Sequence, residues 1–182
     1  VHLDRKLTLV FDIETDGLLN DATKIHCIAI YDSETNKTTS YNDECPGKGM
    51  SDPIIRAVQF IEQAESIVGH NCIGFDLPII RKFYPFFNYC GTVIDTLLLS
   101  RLYHTRLIDE DKRNQWKHMP LQLYGRHSLE AWGYRLGEYK GEFSKATDWK
   151  EWSQEMEYYC IQDVNVTAKL CDDFHQYLIG SR

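Results

Sequence analysis

A short apolar stretch that ends in two acids constrains this chain more than any other feature. Residues 7–11 read Leu-Thr-Leu-Val-Phe and predict a buried strand, which runs into Asp12 and Glu14. Side chains two apart on a strand share a face, so both carboxylates point to one place. A hard divalent cation is one way to neutralise such a pair. The plainer interpretation is a strand that ends in water before the Asp16-Gly17 turn.

Composition and length predict one ordered domain over residues 1–182. The chain is 43% hydrophobic and 13% aromatic, and its net charge of −7 is a weak test for or against nucleic acid. The six cysteines lack C-x-x-C spacing and are interpreted as buried free thiols in a reducing cytoplasm. No apolar run approaches the roughly 20 residues of a membrane span, so no membrane partner is expected. Because the sequence begins with Val1, we expect a fragment of a longer protein.

Local patterns predict an α/β fold with a mixed sheet of about five strands flanked by helices. Three strands come first, and helices and strands then alternate. Residues 105–125 lack clear periodicity and predict a long loop or insertion. Ser128 and Gly137 are typical N-cap and C-cap residues for the helix between them. Further strands are expected at 24–31, 38–41, 66–69 and 92–94, and helices at 53–65 (after Ser51-Asp52), 75–83, 95–103, 129–136 and 153–178.

Two further acids lie where an acid needs an explanation. Asp163 borders the apolar stripe of the last predicted helix, and Tyr159 lies one turn earlier on the same face. The simpler account is a solvated Asp beside a core Tyr. Asp76 follows Asn71 and Phe75 at a strand–helix junction, where an ordinary N-cap is the simpler account.

Taken together, three segments resemble the motifs of the DEDDy 3′→5′ exonucleases, a family with a ribonuclease H-like fold. In the sister branch a His stands five residues before the last Asp, whereas Tyr158 stands there in this chain. Residues 95–102 and 127–137 also resemble the proofreading domain of family A DNA polymerases from T-seven-type bacteriophages. A polymerase domain follows in that family and is absent from this sequence. The three motifs are D-x-E (Asp12, Glu14), N-x-x-x-F-D (Asn71, Phe75, Asp76) and Y-x-x-x-D (Tyr159, Asp163).

The resemblance implies a metal-dependent exonuclease that releases nucleoside 5′-monophosphates from the 3′ end of DNA, preferably single-stranded, in proofreading. It implies two divalent ions, Mg²⁺ or Mn²⁺, with a polymerase domain or subunit as partner, in the cytoplasm (of the host if a phage encodes it). Asp12 would bridge both ions, Glu14 and Asp163 would complete the water-activating site, and Asp76 would hold the second ion. Tyr159 would orient the attacking water. The implied substrate contacts are Thr15, Leu18, Asn71 and Phe75.

Two other functions remain open at this point. An RNA exonuclease of the RNase D type carries the same three motifs, and the acids alone do not separate it from a DNA exonuclease. A catalytically inactive scaffold of a polymerase is the other, although such a domain typically loses carboxylates and this chain has all four.

The stretch from Arg101 to His127 reverses the charge of the chain. It holds six Lys or Arg and three acids, a local net charge of +3. A solvated surface loop is one interpretation. The other is a cationic track that brings a polyanion to the metal site. In the second case the DNA-binding residues are Lys112, Arg113, Lys117 and Trp116, with Trp116 offering a stacking face.

Overall fold

A computed structural model describes residues 7–44, 53–138 and 149–178. Five strands form one sheet in the order β3-β2-β1-β4-β5. The first strand is central: it pairs antiparallel with β2 and parallel with β4. The other pairs are β2 with β3, antiparallel, and β4 with β5, parallel, so the predicted mixed sheet of five strands is confirmed. The strands are β1 (Thr8–Thr15), β2 (Ile25–Asp32), β3 (Lys37–Tyr41), β4 (Ser66–Gly69) and β5 (Thr92–Asp95).

Most of the predicted helices are present within one or two residues of their predicted bounds. Ser128 caps α5 with its hydroxyl, and Gly137 adopts a left-handed φ of 72° after the helix end, as the sequence predicts. Ser51 and Asp52 lie outside the described residues. The helices are α1 (Ile54–Gln63), α2 (Asp76–Phe83), α3 (Thr96–Tyr103), α4 (Leu107–Asn114), α5 (Leu129–Arg135) and α6 (Gln154–Leu178).

Helices cover both faces of β1, which explains the alternation of its side chains. Leu9, Phe11 and Ile13 face the larger core with α1 and α2. Val10 faces the other side, where it packs with Cys160 and other residues of α6. Because side chains alternate along a strand, Asp12 shares the face of Val10 and points toward α6.

The prediction of a long loop at residues 105–125 was wrong. The segment contains α4 and a 3₁₀ turn at Leu121–Leu123. Its organising residue is Asp111, which is fully buried. Its carboxylate accepts hydrogen bonds from Arg135 Nη2 (2.7 Å), the Gly125 N–H (2.7 Å) and Trp116 Nε1 (2.9 Å). A buried ion pair with these further hydrogen bonds therefore fixes the segment on α5.

The prediction that the cysteines are buried free thiols is confirmed for three of the five cysteines in the described residues. Cys27, Cys72 and Cys160 are buried free thiols, whereas Cys90 is exposed and Cys171 is half-buried. Cys45 lies outside the described residues. Within the described ranges no helix combines the length and the apolar character that a membrane crossing demands.

Candidate active site

The four predicted carboxylates come from three elements that meet at the end of β1. Asp12 and Glu14 lie two apart on that strand. Asp163 comes from the middle of α6, and Asp76 from the first turn of α2. The charge of Asp163 acts on both Asp12 and Glu14, and so does that of Asp76. The structure therefore brings together all four acids that the sequence predicts.

Asp76 is not the N-cap that its position in the sequence first suggests. Phe75 precedes the helix and forms no side-chain cap, while Asp76 is 3% exposed inside the first turn. The backbone of Ile13 hydrogen-bonds its carboxylate. Since Ile13 lies between Asp12 and Glu14 on β1, this bond fixes Asp76 beside the other acids.

Burial dominates the protonation of the four acids. Burial raises the pKa of Asp12 and of Glu14 well above their ordinary values, and the neighbouring carboxylates raise both further. Burial also raises the pKa of Asp76 and of Asp163 to about 7. Burial is the main cause of these shifts, and a divalent cation bound to the carboxylates would oppose them.

The donor set fits hard divalent cations. Carboxylate oxygens of Asp12 and Glu14 lie within 4.8 Å of each other and of Cys160 Sγ. The Cys160 thiol donates to the backbone oxygen of Asp12 (3.4 Å) and to its Oδ2 (3.7 Å). Burial raises the pKa of this thiol, so it stays protonated and supports Asp12. The carboxylates, as hard oxygen ligands, are the residues suited to Mg²⁺ or Mn²⁺.

Tyr159 lies one turn before Asp163 and donates a hydrogen bond to its carboxylate. Burial raises the pKa of the Tyr159 phenol, and the charges of Asp163 and Glu14 raise it further. The hydroxyl therefore remains protonated near neutral pH. It is equipped to orient a neighbouring oxygen and not to act as a base.

Sequence reasoning missed two residues that support Tyr159. The Trp149 ring meets the Tyr159 ring edge-on, with centroids 6.0 Å apart. The Trp149 carbonyl lies 2.9 Å from Nε2 of His26, which is 1% exposed. His26 is the extra residue of a bulge in β2, because Glu14 pairs with Cys27 and Thr15 with Ile25. No local pattern links positions 123 residues apart, so the sequence holds no signal for this contact.

Hydrogen bonds to the Asp95 carboxylate fix the backbone of the turn that carries Asn71. Asn71 is exposed and has a φ of 63°, a left-handed conformation that Asn tolerates. The carboxylate of Asp95 accepts from the N–H of Asn71 (3.0 Å) and of Ile73 (3.1 Å), and it also caps α3 by accepting from Leu97 N (3.0 Å). The sequence showed Asp95 only as the start of a helix; its second role depends on the parallel pairing of β4 with β5.

The loop after β1 presents Leu18 to solvent. Leu18 is 75% exposed. Lys82 holds the loop, because its ammonium donates to the carbonyls of Ala22 (2.7 Å) and Leu19 (2.9 Å). Thr15 is buried and donates its hydroxyl to the Gly17 carbonyl at 2.7 Å. The Leu18 side chain is therefore accessible, and its contact with a substrate stays a prediction.

The other residues that the sequence predicts as substrate contacts differ from one another in exposure and packing. Phe75 is half-buried and packs against the larger core. Lys112, Arg113 and Lys117 are exposed. Trp116 is half-buried, donates to Asp111 and packs against a small cluster around Met119. A role for any of these residues in binding stays a prediction.

Comparison with known proteins places this geometry in a family. The model of the RNase_H superfamily matches residues 9–174. The chain belongs to this superfamily. The resemblance to T-seven-type phage polymerases is also confirmed: the DNA-directed DNA polymerase of Escherichia phage T7 is 35% identical over 195 residues. That match covers 93% of this chain and 27% of the polymerase, so the chain spans about a quarter of its relative.

Solved structures show the same fold at lower identity. Brucella melitensis NrnC with bound Mg²⁺ superposes with a TM-score of 0.63 at 18% identity, covering 98% of this chain and 77% of NrnC. An E. coli ExoI–ssDNA complex in a zinc-bound form gives a TM-score of 0.56 at 16% identity, covering 97% of this chain and 42% of ExoI. At these identities the likeness supports the fold alone.

Proposed function

We propose that this chain is a metal-dependent 3′→5′ exodeoxyribonuclease that releases nucleoside 5′-monophosphates from single-stranded DNA. The observation that carries the proposal is the meeting of Asp12, Glu14, Asp76 and Asp163 in a buried place that raises the pKa of all four. A superfamily of nucleases provides the context for these acids. Proofreading beside a polymerase domain or subunit is the proposed setting, because the relatives are DNA-directed DNA polymerases.

In the proposed reaction the four acids would hold the metal ions, and Tyr159 would orient the attacking water. Asp12 would contribute to both divalent ions, Glu14 and Asp163 to one and Asp76 to the other. When bound, such ions supply charge stabilisation to the attacking and leaving oxygens of an in-line displacement. Water adds to the terminal phosphorus, the bond to the preceding O3′ breaks, and that oxygen leaves with a proton.

This chain's own side chains would orient the reacting groups. The Tyr159 hydroxyl stays protonated and donates its O–H to Asp163, which leaves the phenol oxygen to accept from the attacking water and so to orient it. Asn71, presented on its fixed turn, would contact the terminal nucleotide. Leu18 would pack against the last base, with Thr15 lining the same end of β1 and Phe75 the start of α2.

A labelled-strand assay tests the proposal. A 5′-labelled DNA strand and the RNA of the same sequence are incubated with Mg²⁺ or Mn²⁺, with and without EDTA. We expect a descending ladder from the DNA, nucleoside 5′-monophosphates as products, and no cleavage in EDTA. Cleavage that persists in EDTA would refute the proposal, and so would a ladder that starts at the 5′ end.

Two arms of the same assay examine the alternatives. Faster degradation of the RNA strand would favour an exoribonuclease, since the 2′-hydroxyl is what separates the two substrates. Absence of cleavage of either strand at any concentration of metal would favour an inactive scaffold.

A further inference from the structure

A cleft of about 480 Å³ is lined in part by Asn71, which belongs to the turn that leads to Asp76. Its walls come from the turn after β4, from α3 and from the segment that leads into α5. Among the residues that line it are His70, Asn71, Arg101, Arg126, His127 and Ser128. Among the described residues no Asp or Glu lines it, whereas the chain as a whole carries a net charge of −7.

Two guanidinium groups carry the charge of this cleft. Arg101 and Arg126 are exposed, and neither forms an ion pair with an acid among the described residues. Burial lowers the pKa of His70 to about 4, and the charge of Arg101 contributes to that shift. His70 is therefore neutral at pH 7, so the positive charge that faces a ligand comes from the two arginines.

The backbone that carries Arg126 is held in place by the buried ion pair of Asp111 and Arg135. Asp111 accepts from the Gly125 N–H at 2.7 Å, and Arg135 Nη1 donates to the Arg126 carbonyl at 2.9 Å. Gly125 has a φ of 73°, and a Cβ at this position would lie 2.9 Å from Cβ of Ile108. Only glycine therefore allows the close approach of this turn to α4.

A second set of contacts holds the next residue. His127 Nδ1 lies 2.6 Å from Ser100 Oγ, which in turn accepts from Trp132 Nε1 at 2.9 Å. Since Ser100 precedes Arg101 on α3, these bonds tie both sides of the cleft together. The two arginines therefore extend from a wall that is already ordered.

Two of the elements that form the cleft also lead to the acids. Asn71 lines it and belongs to the turn that leads to Asp76. On the other side Glu130, in the first turn of α5, is close enough to Asp163 to raise its pKa. A strand whose 3′ end reached the acids would thus have the cleft beside it.

We infer that Arg101 and Arg126 bind the phosphodiester backbone of single-stranded DNA on the 5′ side of the linkage that is cleaved. The inference rests on the proposed function and adds the place where the rest of the strand lies. Its physical basis is that the acids repel a polyanion, while a guanidinium pairs with a phosphate through two N–H groups. Binding through backbone phosphates carries no sequence preference.

The test measures binding without hydrolysis. Oligothymidylates carrying one neutral methylphosphonate at successive linkages are titrated in EDTA against the parent protein, Arg101→Gln, Arg126→Gln and the double variant. Arg56→Gln is the matched control, because Arg56 is exposed on α1, on the opposite face of the sheet from α6. Melting temperatures of all variants show that the fold is kept.

In the parent we expect a neutral linkage at one or two upstream positions to weaken binding about 10-fold, the loss typical of a hydrogen bond to a charged group. That penalty should largely disappear in the arginine variants. Their log–log salt slope should fall by up to about 0.7 for each phosphate that the variant no longer binds. Arg56→Gln should keep the affinity and the slope of the parent.

The inference is overturned if the double variant keeps the affinity and salt slope of the parent, or if the methylphosphonate penalties persist in it at full size. Since no metal is present, this outcome is independent of the hydrolysis assay. A parent that binds through the two arginines but never degrades DNA would refute the proposed function and leave the cleft in place.

Discussion

The carboxylate site and the α4 segment (residues 105–125) gather charges of opposite sign, and different contacts hold them in place. The site gathers like charges on the central strand and on two helices packed against the sheet. The α4 segment exposes Lys112, Arg113 and Lys117 to water, and a single buried acid, Asp111, holds it in place. In this molecule the groups proposed for chemistry lie on the central strand and on helices packed against the sheet, while Lys112 and Arg113 lie on a helix that exposes them to water.

The largest expected effect is the loss of hydrolysis in Asp12→Asn. If Asp12 binds both ions, its replacement removes several kcal/mol of transition-state stabilisation and slows cleavage by about 1000-fold or more. Initial rates on a labelled strand at saturating Mn²⁺ measure the loss. A rate within tenfold of the parent would contradict a central role for this carboxylate.

The same acids should be unfavourable for folding when no metal is bound, as Asp163→Asn would show. Burial raises the pKa of Asp163 from its ordinary 3.8 to about 7, so the folded protein holds this proton more tightly than the unfolded chain. Stability from that proton is complete below about pH 4 and is lost as the pH rises to about 7. In EDTA at pH 8 Asp163→Asn should melt no lower than the parent; a clearly lower melting temperature would indicate a structural role.

Asp111→Ala tests the support of the α4 segment. It leaves the Arg135 guanidinium buried without its partner, and breaking a buried pair in this way costs about 3–5 kcal/mol. Chemical denaturation at pH 7 measures the change in unfolding free energy. Glu110→Ala, one residue earlier, is the control, since this partly exposed acid pairs only with His104 among the described residues. Equal stability of the two variants would show that the buried pair does not hold the segment.

Tyr159→Phe should slow turnover by roughly 10–1000-fold, the range for a positioned orienting group. Mn²⁺ affinity should be unchanged, because the phenol is not among the ligands. Trp149→Ala should slow turnover less, and its effect should vanish in a Tyr159→Phe background. An additive loss in the double variant would mean that Trp149 acts by another route.

The smallest expected effect comes from Lys112→Ala, Arg113→Ala and Lys117→Ala made together. Single-strand affinity should fall for every sequence alike, and the log–log salt slope should fall by up to about 0.7 for each phosphate that is no longer neutralised. Turnover at saturating DNA should stay near that of the parent. Fluorescence anisotropy over a range of salt concentrations measures both quantities, and an unchanged slope would assign these cations to an ordinary surface.

Residues of the carboxylate site could be predicted because strand and helix periods are local. The spacing of Asp12 and Glu14 on a strand, and the position of Asp163 beside an apolar stripe, follow from geometry within a few residues. The resemblance to a known exonuclease family supplied the partnership with Asp76. The sheet followed from the order of strands and helices along the chain.

The parts that the sequence did not reveal depend on contacts between distant residues. Helix α4 reads Leu-Ile-Asp-Glu-Asp-Lys-Arg-Asn and has almost no apolar stripe, so its period is invisible. The buried Asp111 of this helix pairs with Arg135, which lies 24 residues later in the sequence. His26 hydrogen-bonds the Trp149 carbonyl, which lies 123 residues away. The cleft of Arg101 and Arg126 likewise forms only when α3 and α5 come together.

The most direct test of the account is the number of Mn²⁺ ions that the protein binds. Titration followed by electron paramagnetic resonance should give two ions per chain for the parent and fewer for Asp12→Asn, which would lose the ligand shared by both sites. The change should be accompanied by loss of cleavage and by no loss of fold. A parent that binds no Mn²⁺, or an Asp12→Asn variant that still binds two ions with unchanged affinity, would contradict the claim that these carboxylates form a two-metal site.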